Sequence, residues 1–345
     1  MQFIRESIFA STLRLFCRSV ALILGIGIGV IAVALCVSAF IAPSCSSPQS
    51  QMTLLPDAEG NRELLPLSSP AILCIDIQGV IGVGDLTQDK INNILLDSRE
   101  NLFKNSRVKA ILLKINTPGG SSVDSDAIYQ LLMHYKAKYE VPVYAYVSGL
   151  CASGGMYIAC AADKIYASRS SVIGSVGVIL GPNFNFSDVM TKYGIQAKTF
   201  TAGQDKDELN PFRPWKPDEG ESIQSIISVI YDQFISTVSA SRPLLTKDLL
   251  INTYGAHIFA APTAETLGYV DNGNSSYIEA LKDLVKEIGL SDETPYQVVK
   301  LSTAHSFFND FGQSLTPAHV MRSVLGLKTD DVSLLQGQFL YYYQP

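Results

Sequence analysis

An α/β fold with a mostly parallel sheet is the architecture this 345-residue chain predicts. Three observations carry that expectation. Short apolar runs of strand length alternate with longer stretches whose apolar residues recur at helical spacing. Several of the runs, such as residues 71–78, are nearly continuous in apolar character, which suits strands covered on both faces. The chain is also long enough to bury a substantial core. Strands alternating with helices make βαβ units, because parallel neighbours need a crossover connection. In such sheets the ligand site lies at the carboxyl ends of the strands.

From the N-terminus, residues 20–42 contain no charged side chain. They are long enough to cross a hydrocarbon core of about 30 Å as a helix. Arg5, Arg14 and Arg18 precede them against Glu6 alone, and no charge follows until Asp57. The bias of basic residues predicts a cytoplasmic N-terminus (1–19), a transmembrane signal anchor (20–42) and a body beyond the membrane. A cleaved leader, cut after Ala39, is the competing reading, but its apolar core spans only about 7–15 residues as a rule. Cys45 follows Ala42, Pro43 and Ser44, a poor lipid-attachment context. Residues 43–69, rich in Pro, Ser and Gln, read as a linker with little order.

Residues 71–78 are the first strand, bounded by Gly79. A helix over 88–104 carries Ile91, Ile94, Leu95 and Leu102 at helical spacing; a strand at 109–116 ends in the turn 117–120. The next helix, 124–139, sets Ile128, Leu131, Leu132 and Tyr135 on one face. A strand at 141–147 leads to a small-residue turn and a helix at 157–162. Residues 164–180 are strand-like, 186–193 form a short helix and 197–201 another strand. An acidic stretch, 202–209, and a proline-rich turn through Pro217 precede amphipathic helices at 223–238 and 276–288. A folded body over 70–310 and a C-terminal extension over 311–345 complete the division.

The net charge of −6 with no basic cluster argues against nucleic acid as a partner. Six cysteines, at 17, 36, 45, 74, 151 and 160, show neither a disulfide framework nor metal-ligand spacing.

The chemistry gathers at Cys151-Ala-Ser-Gly-Gly-Met-Tyr157. A serine held at a strand-to-helix bend, with glycines beside it, lets a substrate backbone approach, so Ser153 is the candidate acyl-transfer nucleophile. The amides opening the following helix favour developing negative charge. Serine needs a base. None of the four histidines, at 134, 257, 305 and 319, stands in a recognisable signature. Lysine is the other base, but at an exposed pKa near about 10.4 only about one in 2,500 is neutral at pH 7. It must be desolvated to serve. Gly120 and Gly154 have amides unobstructed by side chains and suit an oxyanion hole.

These blocks in order resemble the signal peptide peptidase A (protease IV) family of membrane-bound serine proteases. The resemblance runs from about residue 71 to 310. Asn116-Thr-Pro-Gly-Gly120 is similar to its oxyanion loop. Ala152-Ser-Gly-Gly-Met-Tyr157 with Ala161-Ala-Asp-Lys164 is similar to its nucleophile block. Ile173-Gly-Ser-Val-Gly-Val178, residues 203–207 and residues 255–271 match further blocks. The resemblance implies a ClpP/crotonase-like fold and a Ser/Lys dyad with no cofactor or metal. Ser153 maps onto the nucleophile, Lys206 onto the general base and Ser175 onto a serine orienting that lysine. Gly120 and Gly154 fall at the oxyanion positions, with Gly119 as the neighbouring alternative. Lysines 164, 192 and 198 lie outside the block 203–207 that carries the mapped base.

Asp205, Asp207 and Glu208 flank the mapped base, and carboxylates close to an ammonium oppose its deprotonation. The mechanism therefore requires them to point away or to pair elsewhere. Met156 stands where the family often has an aromatic residue, and Thr117 where it often has Ser. The family further implies hydrophobic peptides and remnant signal peptides as substrates. It also implies the bacterial cytoplasmic membrane as location, and a homo-oligomer sharing dyads between neighbours. Two rivals are an acyl-CoA enzyme of crotonase type and a catalytically silent membrane scaffold of the same fold.

Overall fold

The computed structural model describes residues 8–40, 51–290, 294–302 and 340–342. They divide into two compact units, Met1–Gln49 and Ser50–Pro345. The first holds one helix, α1 (Ile8–Phe40), of 33 residues. Its stretch Thr12–Gly29 is long and apolar enough to cross a membrane. The helix starts before the charge-free run, so Arg14 and Arg18 lie on it.

In the second unit the strands β1 (Gln51–Leu55), β2 (Ala71–Gln78), β3 (Val108–Thr117), β5 (Val143–Ala152), β7 (Val172–Gly174), β8 (Ile258–Ala260) and β9 (Gln297–Ser302) form one sheet. Its order is β1-β9-β2-β3-β5-β7-β8, and β6 (Lys164–Ala167) also pairs with β5. The centre is parallel; only the two ends, β1 on β9 and β8 on β7, are antiparallel. An α/β class with a mostly parallel sheet is therefore what the chain forms. A second, two-stranded sheet joins β4 (Gly119–Ser121) to β10 (Leu340–Tyr342).

The continuous apolar character of β2 follows from burial on both sides. Leu73, Ile75 and Ile77 enter the larger core with Ile128, Leu132 and Met156. Ile72 and Cys74, one residue out of phase, enter a second core with Tyr144, Tyr146 and Tyr166. That second face is closed by Ala280, Leu281, Leu284 and Val285 of α8 (Tyr277–Glu287). The larger core is covered by α2 (Gln88–Asp97), α3 (Ser122–Tyr139), α4 (Gly154–Ala159) and α6 (Glu221–Ser241). α5 (Ser187–Lys192) and α7 (Ala261–Leu267) complete the helices of this unit.

Several expectations change. Gln51–Leu55, which composition places in a linker, is a strand paired with β9 from Gln51↔Ser302 to Leu55↔Val298. α2 stops at Asp97, with a separate 3₁₀ turn at Asn101–Phe103, rather than running to 104. β5 continues to Ala152, and α4 starts directly after Ser153 and ends at Ala159 rather than 162. The strand-like stretch 164–180 breaks into β6 and β7. Residues 197–201 form no strand and are exposed: they alternate, but no sheet edge reaches them. His305 and His319 lie outside the described residues, as does residue 311–345 apart from β10.

Candidate active site

Ser153 stands between β5 and α4 with φ 54° and ψ −114°. Left-handed backbone at a serine costs of order 1–3 kcal/mol and persists only where the surroundings over-determine it. Here β5 pairs with β7 through Ala152↔Gly174, and the Ser153 amide donates to the Gly174 carbonyl at 2.9 Å. The side chain is buried, with Oγ 3.4 Å from the Gly177 carbonyl. The glycines that follow have a steric cause. A Cβ on Gly154 would meet Ser125 Oγ at 2.5 Å, and one on Gly155 would meet Thr117 Cγ2 at 2.6 Å.

The loop after β3 packs against this turn. Thr117 Oγ1 donates to the Gly79 carbonyl at 2.5 Å and accepts from the Gly119 amide at 3.0 Å. The Ser121 amide donates to the Ile81 carbonyl. Those bonds occupy the amides on either side of Gly120, which faces Tyr341 across the β4–β10 ladder. A Cβ on Gly119 would lie 1.9 Å from the Tyr341 carbonyl oxygen and 2.9 Å from the Gly154 nitrogen. One on Gly154 would lie 3.1 Å from the same oxygen. A main-chain carbonyl of residue 341 thus sits over the floor between the two glycine turns.

Ser175 also has a left-handed backbone, φ 54°. Its amide donates to the His257 carbonyl at 2.8 Å; the residue is buried, and its hydroxyl has no partner among the described residues. Ser153, Gly154, Gly119, Gly120 and Ser175 therefore line the carboxyl ends of β3, β5 and β7.

Lys206 is not hydrogen-bonded to any of them. It is exposed, in the turn between Asp205 and Leu209, with no hydrogen-bond or ion-pair partner among the described residues. Its acidic neighbours are all engaged elsewhere. Asp205 pairs with Lys216 at 2.9 Å, and Asp207 with Arg213 at 2.9 Å. Glu208 accepts from the Gly220 amide at 2.9 Å and from Ser222. Arg213 also binds Glu219 at 2.8 Å, and this pairing, with the Lys216 amide, holds the Glu219 carboxyl down at about 2. Of the other lysines, Lys164 is tied to Asp283 at 2.7 Å, while Lys192 and Lys198 lie over the rings of Tyr193 and Phe200.

Sequence reasoning missed Tyr341 and the pocket around it. Tyr341 stacks on Tyr157 at 5.2 Å and meets Phe234 at 4.6 Å between ring centroids. Tyr157 and Phe234 carried a signal, the first inside the nucleophile block and the second on an amphipathic helix. Tyr341, in the run Leu340-Tyr-Tyr-Tyr343, carried none beyond its aromatic character.

Compared with known proteins, residues 136–291 match the model of Peptidase family S49. The chain is 31% identical over 232 residues to an Enterococcus faecium protein provisionally named signal peptide peptidase SppA, covering 66% of each. It is 29% identical over 189 residues to Protease 4 of Salmonella typhi, covering 55% of this chain and 29% of that one. It is also 33% identical over 172 residues to a Brucella melitensis protein named Na(+)/H(+) antiporter NhaA, of which it spans 23%. The chain thus spans from under a quarter to about two thirds of these relatives' length. Among solved structures, a ClpP1 mutant from Listeria monocytogenes is similar with a TM-score of 0.39 and 16% identity. That match covers 62% of this chain and 96% of the other.

Proposed function

The chain belongs to the signal peptide peptidase A family of S49 peptidases, and from that membership we propose a membrane-anchored serine endopeptidase acting through a Ser153/Lys206 dyad. Its substrates are hydrophobic peptides, remnant signal peptides among them. The observation that carries the reading is a peptide carbonyl, that of Tyr341, beside the Gly154 amide at the turn that holds buried Ser153.

In the mechanism Ser153 Oγ adds to the substrate carbonyl carbon while its proton passes to neutral Lys206. The oxyanion takes hydrogen bonds from the Gly154 and Gly120 amides; losing one such donor typically costs about 100- to 1,000-fold. Collapse expels the amine, which takes the proton back, and water then releases the acyl group by the same steps. Ser175, with its free hydroxyl, orients the lysine.

Lys206 reaches Ser153 from a neighbouring copy in this reading. The stretch 181–220 that carries Lys206 exposes Phe184, Tyr193, Ile195, Phe200 and Phe212, apolar surface of the kind that marks association sites. Covering it with a second copy would also take Lys206 out of water, the condition a lysine base needs. α1 supports anchoring, with the N-terminus cytoplasmic and the body on the far side by the charge bias around the helix.

The test is hydrolysis of a hydrophobic peptide by wild type, Ser153→Ala and Lys206→Ala. Ser153→Ala is expected to lose at least roughly a thousandfold in kcat, and Lys206→Ala roughly a hundredfold or more, the contribution of a general base. Co-assembling the two inactive variants should restore part of the activity, because some interfaces then pair an intact serine with an intact lysine. Full activity in Ser153→Ala would sink the mechanism. No recovery in proven mixed oligomers would place the dyad within one chain.

A further inference from the structure

β3 and β5 pair in two registers. Ile115 faces Val147, yet Thr117, two residues on, faces Cys151, four residues on. Two extra residues of β5 are therefore taken up opposite Asn116, in a jog at 148–150. At about 3.3 Å per residue, the jog draws the end of β5 back by about 6–7 Å. Without it, Gly119 would come level with Cys151; with it, Gly119 comes level with Ser153. The closeness of the two glycine turns, where a Cβ on Gly119 would lie 2.9 Å from the Gly154 nitrogen, depends on that offset.

A jog of this size strands main-chain groups, which must find partners elsewhere. The Leu150 amide finds the Asn116 side chain and donates to its Oδ1 at 3.0 Å. Gly149 leaves the space for that carboxamide: a Cβ there would lie 2.6 Å from Oδ1 and 3.1 Å from Cγ. Asn116 is fixed from its other side too, because its carbonyl accepts from the Gly79 amide at 3.2 Å. Below the jog, the Val147 carbonyl accepts from the Ser168 amide and from Ser171 Oγ, both at 3.0 Å. Above it, β5 has changed neighbours, from β6 at residues 144–147 to β7 at 150–152. Among the described residues, 148 and 149 pair with no strand, and Asn116 stands at that gap.

We propose that Asn116 is a positioning residue for the nucleophile: its carboxamide fills the jog in β5 and holds the Ser153 turn level with the Gly119–Gly120 loop. The inference rests on the peptidase reading, since it takes Ser153 as the attacking group. Asn116 touches no reacting atom, so its loss lowers the rate of attack and leaves peptide binding in place. A reacting group displaced by about 1 Å typically loses about 100-fold in rate.

The experiment uses the full chain and reads kcat and KM on a hydrophobic peptide, with amide exchange followed over residues 150–154. Asn116→Leu keeps the shape and removes the acceptor. Its kcat is expected to fall about 100-fold with KM within about threefold, and exchange at Leu150 and Ser153 to quicken about tenfold or more. Asn116→Asp keeps an acceptor oxygen at an exposed position and should recover kcat to within about fivefold of wild type. Gly149→Ala drives a methyl into the carboxamide and should lose about as much as Asn116→Leu. In an Asn116→Ala background the same methyl should cost less than about threefold, since the group it meets is gone.

Wild-type kcat in Asn116→Leu, or a change confined to KM, overturns the inference and leaves the peptidase reading intact. So does a loss that Asn116→Asp fails to recover, or a Gly149→Ala penalty equal in both backgrounds. A wild type that cleaves no peptide overturns the peptidase reading instead. Exchange then decides the placement of the turn by itself: quickening in Asn116→Leu alone supports it, and equal rates in Asn116→Leu and Asn116→Asp overturn it.

Discussion

Arg213 decides the charge around the mapped base more than any residue of the acidic run itself. It takes up Asp207 and Glu219 together, and Lys216 takes up Asp205, so the carboxylates beside Lys206 are already spent. The arrangement has a pH signature. Arg213 and the Lys216 amide lower the Glu219 carboxyl from 4.5 to about 2. A carboxyl depressed on folding contributes order that is fully present above its unfolded value and is lost as pH falls towards its folded one. The turn should therefore hold down to about pH 4.5 and loosen between there and about 2. Trp215, the single tryptophan, reports on it, because its ring N–H donates to the Asn210 carbonyl at 3.0 Å. Its emission is expected to change across that window, and Arg213→Gln is expected to move the change upward towards 4.5. An identical transition in both proteins would mean that Glu219 does not govern the turn. This pairing could not be read from the chain, since the bonds link side chains whose directions only the folded turn defines. The serine turn was legible for the opposite reason. Close approach of Thr117 and Ser125 demands glycine at 155 and 154, and that demand is written locally.

Among the elements, α8 carries the clearest local instruction. Ser276 accepts from the Glu279 amide at 3.2 Å, and Glu279 accepts from the Ser276 amide at 2.8 Å, a complete capping box. Beneath it lie Ala280, Leu281 and Leu284, which close the second core. Ser276→Ala is expected to cost about 1 kcal/mol and to lower the calorimetric midpoint by about 2–4 °C. An unchanged midpoint would show that α8 is held by packing alone. Strands β2 and β3 were equally legible, because burial on both faces writes an unbroken apolar run. β1 was not, because Gln51-Met-Thr-Leu-Leu55 is half exposed at the sheet edge and owes its conformation to β9, far away in sequence. β10 was hidden for the same reason. Three residues carry no periodicity, and their strand exists only because β4 and Ile179 offer unpaired main chain. Residues 197–201 fail in the other direction, since alternation without a partner edge does not make a strand.

For the molecule as a whole, the stretch 181–220 is the part a single chain leaves unfinished. Its aromatic rings stack on one another, Phe184 on Phe186 and Phe186 on Phe212, yet Phe200 remains 83% exposed and Tyr193 71%. Water-facing rings in such number are costly to maintain without a covering surface. The same stretch bears Lys206, so the proposed dyad would join assembly and base delivery in one element. A charge placed on this face should therefore separate folding from function. Phe200→Glu adds a carboxylate to an already exposed position, so the thermal midpoint is expected to stay within the small range of surface changes. Burying that carboxylate in an interface is expensive, and the oligomer should fall to a monomer by light scattering. With the monomer, peptidase activity should drop by roughly a hundredfold or more, the contribution of a general base. A Phe200→Leu control, still apolar, should keep both assembly and activity. An active Phe200→Glu monomer would separate the two properties and return the search for the base to residues within a single chain.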